Sequence, residues 1–326
     1  MDTLLKHTSN LYGLNLQYHE KVKKGSLSEN HILIDGDTRY FLKQYAPDAK
    51  EKVEEIQSVK RYFSDGNIPV ILPITNKEGS TYFSFEDGCY ALFPFVLDKQ
   101  LSGKELTETA IVSLGEMLGK IHLLGRDAKL PVSGKFKPWN KEKSLAKIEL
   151  VINEIQKKTN FDDFDESALK SLNLKKQLVQ ENTVVYEDLN LSSDHLIHGD
   201  YTDHNVFFGG NDKISWVFDF EKTSYSPRTH ELFKCMMYSF LCDDSSEENI
   251  SRAKLYLDSY RKTYPISEDE LTRGLKLYYL KSIHGLWSES EHYLNDNHRV
   301  DKFLGTDFPR IKNLSEHFEE FRNSLF

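Results

Sequence analysis

Three cysteines in 326 residues, Cys89, Cys235 and Cys242, are an odd count with no C-x-x-C spacing, so neither a disulfide framework nor a cysteine zinc site is indicated. They read as reduced thiols in a core. Basic residues are in the minority: 42 Lys and Arg stand against 51 Asp and Glu, a formal net charge of −9. That balance argues against a duplex nucleic-acid binder, which needs a basic face for phosphate contacts, and it suits a cationic substrate. Long apolar runs are also missing. The stretch "ALFPFVL" at 91–97 is among the longest and falls well short of the roughly 18 residues of a membrane span. The opening "MDTLLKHTSNLYGLNLQ" has no basic start followed by an apolar run, so no secretory signal is read there and a soluble, cytoplasmic protein is expected. No internal repeat or low-complexity tract is apparent.

What is present fits a globule. Hydrophobic residues make up 39% and aromatics 12%, and the length allows two lobes that each bury a core. Residues 18–44 alternate as a meander, "YHEKV", "HILID" and "RYFLKQY", with Gly36 and Asp37 as a hairpin turn between the last two. Residues 48–64 place Val53, Ile56, Lys60 and Phe63 at helical spacing. Two more strands, "STYFSFE" and "CYALFPFV", joined at Asp87 and Gly88, complete a five-stranded antiparallel sheet with one helix. Pro94 marks where the chain leaves that sheet. The predicted division is an N-terminal lobe over 1–96 and a mostly helical lobe over 97–326. The second lobe opens with a helix carrying Ile111, Leu114, Leu118 and Ile121, predicted to stop at Gly125. It continues with a charged helical stretch over 141–180, short hairpins around 195–218 reversing at Gly209 and Gly210, and helices from Thr229 onward.

The chemistry concentrates at "HGDYTDHN", residues 198–205, and at the isolated "DFE" that follows "ISWVF". A strand ending in "HGD" and resuming at "NVFF" sets Asp200 and Asn205 at two ends of a tight loop, and the next strand delivers Asp219 beside them. Oxygen-bearing side chains gathered at a hairpin edge suit a hard divalent cation such as Mg2+, carrying phosphates. The phosphoryl-transfer template assigns one Asp to the acceptor hydroxyl, an Asn and a later Asp to metal, and a distant Lys to the nucleotide phosphates. The five-residue step from Asp200 to Asn205 equals the Asp-to-Asn step of the protein-kinase catalytic loop.

"LIHGDYTDHNVFF" followed by "ISWVFDFE" resembles the signature of the aminoglycoside phosphotransferase and choline kinase family, over about residues 18–290, with only 196–221 specific. The resemblance implies an α+β, two-lobed, protein-kinase-like fold and an ATP- and Mg2+-dependent transfer of the γ-phosphate to a small-molecule hydroxyl. Carried over, it implies Asp200 as catalytic base, Asn205 and Asp219 as Mg2+ ligands, Lys43 as the ATP phosphate lysine, and His198 as an anchor of the loop. "GSLSEN" takes the place of a glycine-rich phosphate cover, with Ser26 and Ser28 as contacts. Glu55 is the helix carboxylate expected on Lys43, with Glu54 and Glu51 as rivals. Phe93 to Val96, including Phe95, would hold adenine through backbone groups. His122 is read as a packed core histidine.

Glu221 stands where protein kinases have Gly, and no A-P-E follows, so a regulated activation loop is not expected. Glu221 is expected to support the metal site or to pair with Lys222 or Arg228. Trp287, Glu289, Glu291 and Tyr293 are candidates for lining an amine-bearing acceptor, against the alternative of an ordinary core stripe. Two other functions stay open at this point: a nucleotide-binding or spore-coat-type pseudokinase, and a Ser/Thr protein kinase. The acceptor, the choice of ATP over GTP and the oligomeric state are not legible.

Overall fold

The computed structural model describes residues 1–22, 30–45, 50–241 and 246–326. The loop holding Ser26 and Ser28, and with it the expected phosphate cover, lies outside the described residues, as does Cys242. Helix α1 (Asp2–Tyr12) leads into β1 (Gln17–Lys21), β2 (His31–Asp35) and β3 (Thr38–Tyr45), then α2 (Lys50–Asp65), β4 (Phe83–Phe85) and β5 (Gly88–Pro94). The five strands form one antiparallel sheet in the order β1-β2-β3-β5-β4. The expected sheet and helix are present. The β4–β5 turn is one residue earlier than predicted: Glu86 takes the left-handed conformation and Gly88 already pairs with Phe85.

The period of two in the strands sorts side chains between two layers. Leu33, Leu42, Tyr90 and Leu92 pack on Leu4 of α1 and on Leu16 and Phe83. On the other face, Tyr45, Cys89, Ala91 and Phe93 pack on Val53, Ile56, Val59 and Phe63 of α2. Lys43 lies between Phe41 and Tyr45 in β3, opposite Ala91, so alternation turns it toward the α2 side. After α2 the chain runs extended through Ile68–Ile71 and pairs with Val217, far ahead in sequence: Val217 N–H donates to Pro69 O at 2.8 Å. That contact ties the sheet and α2 to the hairpins of the helical half.

Helix α3 (Glu108–Arg126) follows, with α4 (Lys141–Gln156) and α5 (Asp163–Glu181). Gly125 does not stop α3, which runs on to Arg126; a Cβ there would lie 2.0 Å from the carbonyl oxygen of Leu196. The glycine serves close approach of the helix to β6 (His195–Ile197) rather than a cap. β6 pairs with β9 (Ser224–Ser226), and β7 (Val206–Phe208) pairs with β8 (Ile214–Val217). At the β7–β8 reversal the left-handed residue is Asp212, not Gly209 or Gly210; its carboxylate pairs with Lys99 at 2.7 Å and accepts from Thr107 at 3.0 Å. Helices α6 (Arg228–Ser239), α7 (Glu247–Thr263), α8 (Glu268–His284), α9 (Trp287–Asn295), α10 (Asp301–Glu316) and α11 (Phe318–Leu325) complete the chain. Among the described residues, no helix is long and apolar enough to cross a membrane. Cys89 and Cys235 are free and buried.

Candidate active site

The loop over residues 198–205 is built on hydrogen bonds that its sequence advertises only in part. Past the end of β6, His198 is fully buried between the rings of Phe220 and Tyr201, and its Nε2 faces Phe218 O at 2.8 Å. A carbonyl accepts only, so Nε2 carries the proton and Nδ1 is left to accept from the Asp200 N–H at 3.2 Å. Gly199 holds φ 86°, and a Cβ would lie 1.9 Å from Lys222 O, so position and dihedral both demand glycine. Glu231 on α6, with no exposed surface, accepts from the backbone N–H groups of His198 at 3.0 Å and Tyr201 at 3.1 Å. Its second neighbour is His122, whose Nε2 lies 3.1 Å away and whose Nδ1 faces Tyr260 Oη at 3.0 Å. Burial lowers the His122 pKa, while the Glu231 pKa is also lowered, because donors around that carboxylate outweigh its burial. The pair is therefore neutral imidazole on carboxylate.

Asp200 projects from this scaffold between two ammonium groups. Lys234 of α6 contacts Oδ1, and Lys222 lies 2.9 Å from Oδ2. Burial would raise the Asp200 pKa, yet the two lysines hold it well below the usual carboxylate range. Asn205 donates its amide to Asp200 O at 2.7 Å, which leaves the Asn205 carbonyl oxygen as a free acceptor. Asp219 takes a left-handed backbone, φ 66°, and its Oδ1 lies 3.1 Å from Lys43 Nζ. Glu221 contacts the same ammonium. Desolvation opposes the charge on Lys43, and the two carboxylates overcome it, so this ammonium is held charged.

Lys43, Asp200, Asn205 and Asp219 thus converge, although 176 positions separate the first from the last. Glu55 does not join them. It is bonded by Lys52 and by the Ser133 N–H at 2.9 Å, Glu54 is bonded by Tyr82, and the carboxylates on Lys43 are Glu221 and Asp219. The physical reason is helical phase: the buried residues of α2 are Val53, Ile56, Gln57, Val59, Lys60 and Phe63, and Glu55 falls outside them. Glu221 therefore pairs with neither Lys222, which goes to Asp200, nor Arg228, which forks onto Glu270 at 2.7 and 2.8 Å.

Lys60, read from the sequence only as part of the helical stripe, lies near Lys43, which that reading missed. It is 4% exposed, and its Nζ sits 4.4 Å from the ring centroid of Phe93. Burial, reinforced by the charge of Lys43, pulls its pKa down to about 7. The signal was available, since Lys60 occupies an apolar heptad-like stripe where a lysine has no packing reason to be. At the strand leaving the sheet, Phe93 is buried against α2, while Phe95 is half-buried with its N–H donated to Arg39 O at 3.3 Å. Val96 packs half-buried against the main core. The Phe95 N–H is therefore already engaged.

The expected acceptor stripe on α9 also divides. Glu289 is buried on Lys175 at 2.6 Å, Glu291 accepts from Asn295 and Asn297, and Tyr293 donates to Asp165 at 2.8 Å. Only Trp287 is open, at 49% exposure. Glu289 ties α9 to α5 and Glu291 closes the end of α9, so both carboxylates are already engaged.

The profile of the phosphotransferase enzyme family matches residues 20–266. The chain belongs to that family. As a phosphotransferase it is a kinase of small molecules, acting on a hydroxyl acceptor at the expense of ATP. Its fold is shared with solved structures at low identity. A spectinomycin phosphotransferase, solved with ADP and spectinomycin, matches at TM-score 0.62 and 15% identity, covering 99% of this chain and 98% of that one. A microcompartment-associated aminopropanol kinase gives 0.63 and 13%, covering 97% and 98%. Choline kinase from Cryptosporidium parvum Iowa II gives 0.62 and 15%, covering 99% and 98%. No curated protein sequence matches.

The oxygen donors of the phosphotransferase fit a hard cation. With the Asn205 amide nitrogen turned to Asp200 O, its carbonyl oxygen is available as a ligand, and Asp219 has one oxygen beyond the one facing Lys43. An all-oxygen set of this kind suits Mg2+, which keeps several waters.

Proposed function

We propose that residues 1–96 of this phosphotransferase carry ATP and residues 97–326 carry a small amine-bearing alcohol, with Asp200 as the base that receives the hydroxyl proton. The observation that carries the reading is the meeting of Lys43, Asp219 and Asp200 from three separate stretches of chain. As the acceptor oxygen bonds to the γ-phosphorus, the bond from phosphorus to the ADP oxygen breaks and the hydroxyl proton passes to a carboxylate oxygen of Asp200. An acid as strong as Asp200 is a weak base, so it orients the hydroxyl first and takes the proton late, which suits a loose phosphoryl-transfer transition state. Lys222, 63% exposed, is the partner that yields to an incoming hydroxyl, while Lys234 is also anchored on Gly199 O at 3.2 Å. Asn205 and Asp219 would hold Mg2+, which when bound offsets phosphate charge. Lys43, kept in place by Glu221, donates to the phosphates.

The amine-bearing class is supported by the net charge of −9 and by relatives whose names give aminopropanol and choline as substrates. Purified protein offered Mg2+, ATP and a panel of amino alcohols and amino sugars should release ADP faster with one of them and yield its phosphate ester. ADP release no faster than without acceptor would instead favour the pseudokinase, and phosphorylated peptide would favour a protein kinase.

Lys60 belongs to the same cleft and is read as a second nucleotide-directed cation, because an ammonium beside Lys43 gains only when anionic phosphates arrive. Lys60→Met should raise the melting temperature of the nucleotide-free protein, since it removes the cost of a buried amine, roughly 1–3 kcal/mol. It should also raise KM for ATP about tenfold or more through loss of a charge-assisted contact. The sign can be checked against pH. The folded Lys60 pKa, about 7, lies below the ordinary 10.5, so the wild type gains stability from this group as pH rises from 7 to 10.5. Lys60→Met should lack that gain; an unchanged KM would remove Lys60 from the site.

A further inference from the structure

We propose that His292, His298 and Asp301 form a zinc-binding site at the corner joining α9 to α10, apart from the catalytic residues. His292 Nδ1 lies 2.8 Å from Asp301 Oδ1 and 3.2 Å from His298 Nδ1, and His298 Nδ1 lies 3.6 Å from Asp301 Oδ2. One donor atom from each residue falls within 4.8 Å of the other two. Ligands about 2.0–2.2 Å from a tetrahedral zinc ion stand about 3.3–3.6 Å apart, so the two distances to His298 fit as they are and the 2.8 Å from His292 to Asp301 has to open by about half an ångström.

Proton counting favours a cation at the centre. Asp296 Oδ1 lies 3.0 Å from His298 Nε2, so that nitrogen carries the proton and the Nδ1 of a neutral His298 presents a lone pair. This lone pair points at His292 Nδ1, which also faces the Asp301 carboxylate. A neutral ring nitrogen has one proton or one lone pair, so His292 can serve only one of these neighbours well. A divalent cation between the three satisfies all of them at once.

The surroundings are built as such sites are. Asp296 is the outer carboxylate that fixes the tautomer of a ligating histidine, and it is held in a left-handed backbone, φ 52°. The intervening turn is fixed by Glu291, whose backbone carbonyl accepts from the Asn297 N–H at 2.9 Å and whose carboxylate accepts from the Asn297 amide at 3.0 Å. Phe164 stacks on His292 with centroids 4.4 Å apart, and Tyr293 lies 4.3 Å away, so one side is apolar. His298 is 59% exposed and gives an entry from solvent. Two imidazoles and one carboxylate leave a fourth position for water, and they select zinc over the Mg2+ suited to the all-oxygen cleft.

The test uses the full chain, stripped with EDTA and free of nucleotide, titrated with ZnCl2. One equivalent should bind saturably, and the melting temperature should climb with free Zn2+. His298→Ala, at an exposed position, should melt like wild type in EDTA and lose both effects, as should Asp301→Asn. Asp296→Asn should keep the stoichiometry and lose 10- to 100-fold in affinity. Co2+ should give a visible absorption band in wild type that His298→Ala lacks. No saturable uptake, or equal uptake and an equal Co2+ band in His298→Ala and Asp301→Asn, overturns the proposal and leaves a hydrogen-bonded cluster only.

Discussion

Asp200→Asn should lower kcat by about 10²–10⁴ and leave KM for ATP within a few-fold of wild type. The amide keeps the size and the hydrogen-bonding reach of the carboxylate but cannot take the acceptor proton. The loop around it should survive, because His198, Gly199 and Tyr201 are held by Phe218 O, the approach of Lys222 O and Glu231, none of which uses the Asp200 side chain. The substitution does leave Lys234 and Lys222 beside a neutral group. Both are partly exposed, so the loss of stability should stay near 1 kcal/mol. Steady-state kinetics with varied ATP, together with ADP binding by calorimetry, separates the two quantities. A variant that turns over at the wild-type rate would falsify the assignment of Asp200 as base.

Glu231→Ala should be the most destabilising single change in the catalytic half, by about 3–5 kcal/mol, and should depress kcat with it. Glu231 accepts from two backbone N–H groups of the catalytic loop and from His122, all buried. Truncation leaves those donors with no acceptor and no route to water, and the cost of an unmet buried donor exceeds the net gain of making the bond. The same cluster sets an acid limit. The folded His122 pKa lies below its ordinary 6.5, so its contribution to stability is present above that pH and is lost as pH falls below it. The folded Glu231 pKa lies below 4.5, so its contribution is lost only as pH drops further, through the folded value. Both terms have one sign, and urea denaturation at pH 7.5, 6 and 5 should show a falling midpoint in wild type; Glu231→Ala should fall at least as steeply below pH 6.5, because this carboxylate is what raises the His122 pKa against burial. A midpoint for Glu231→Ala within about 0.5 kcal/mol of wild type would show that the loop does not depend on this carboxylate.

Much of this was legible because the code was local. Alternation in "HILID" and "RYFLKQY" marked strands by their pleat, and "HGD" with "HN" five residues on marked a tight loop that gathers oxygen-bearing side chains. Period-two alternation even set the side of the sheet for Lys43, since a strand has only two sides. Helices are less forgiving. On α2 a shift of one residue turns a side chain by about 100°, and Glu55 misses the cleft that Lys60 enters. Glycine was ambiguous for another reason. Gly125 reads as a helix stop, yet its purpose is set by the Leu196 carbonyl, 71 residues later in the chain.

By itself, the sequence determined the five-stranded sheet with its helix and the helical remainder, because each rests on period within a short window, and the family resemblance, specific over residues 196–221, singled out Lys43, Asp200, Asn205 and Asp219 as candidates. Only the tertiary structure decided which carboxylate holds Lys43, which lysines flank Asp200, that Glu231 supports the loop, and that His292, His298 and Asp301 face a common point. Those pairings join residues whose separation along the chain carries no energetic signal. Their partners are chosen by burial and by the direction in which each element presents its side chains.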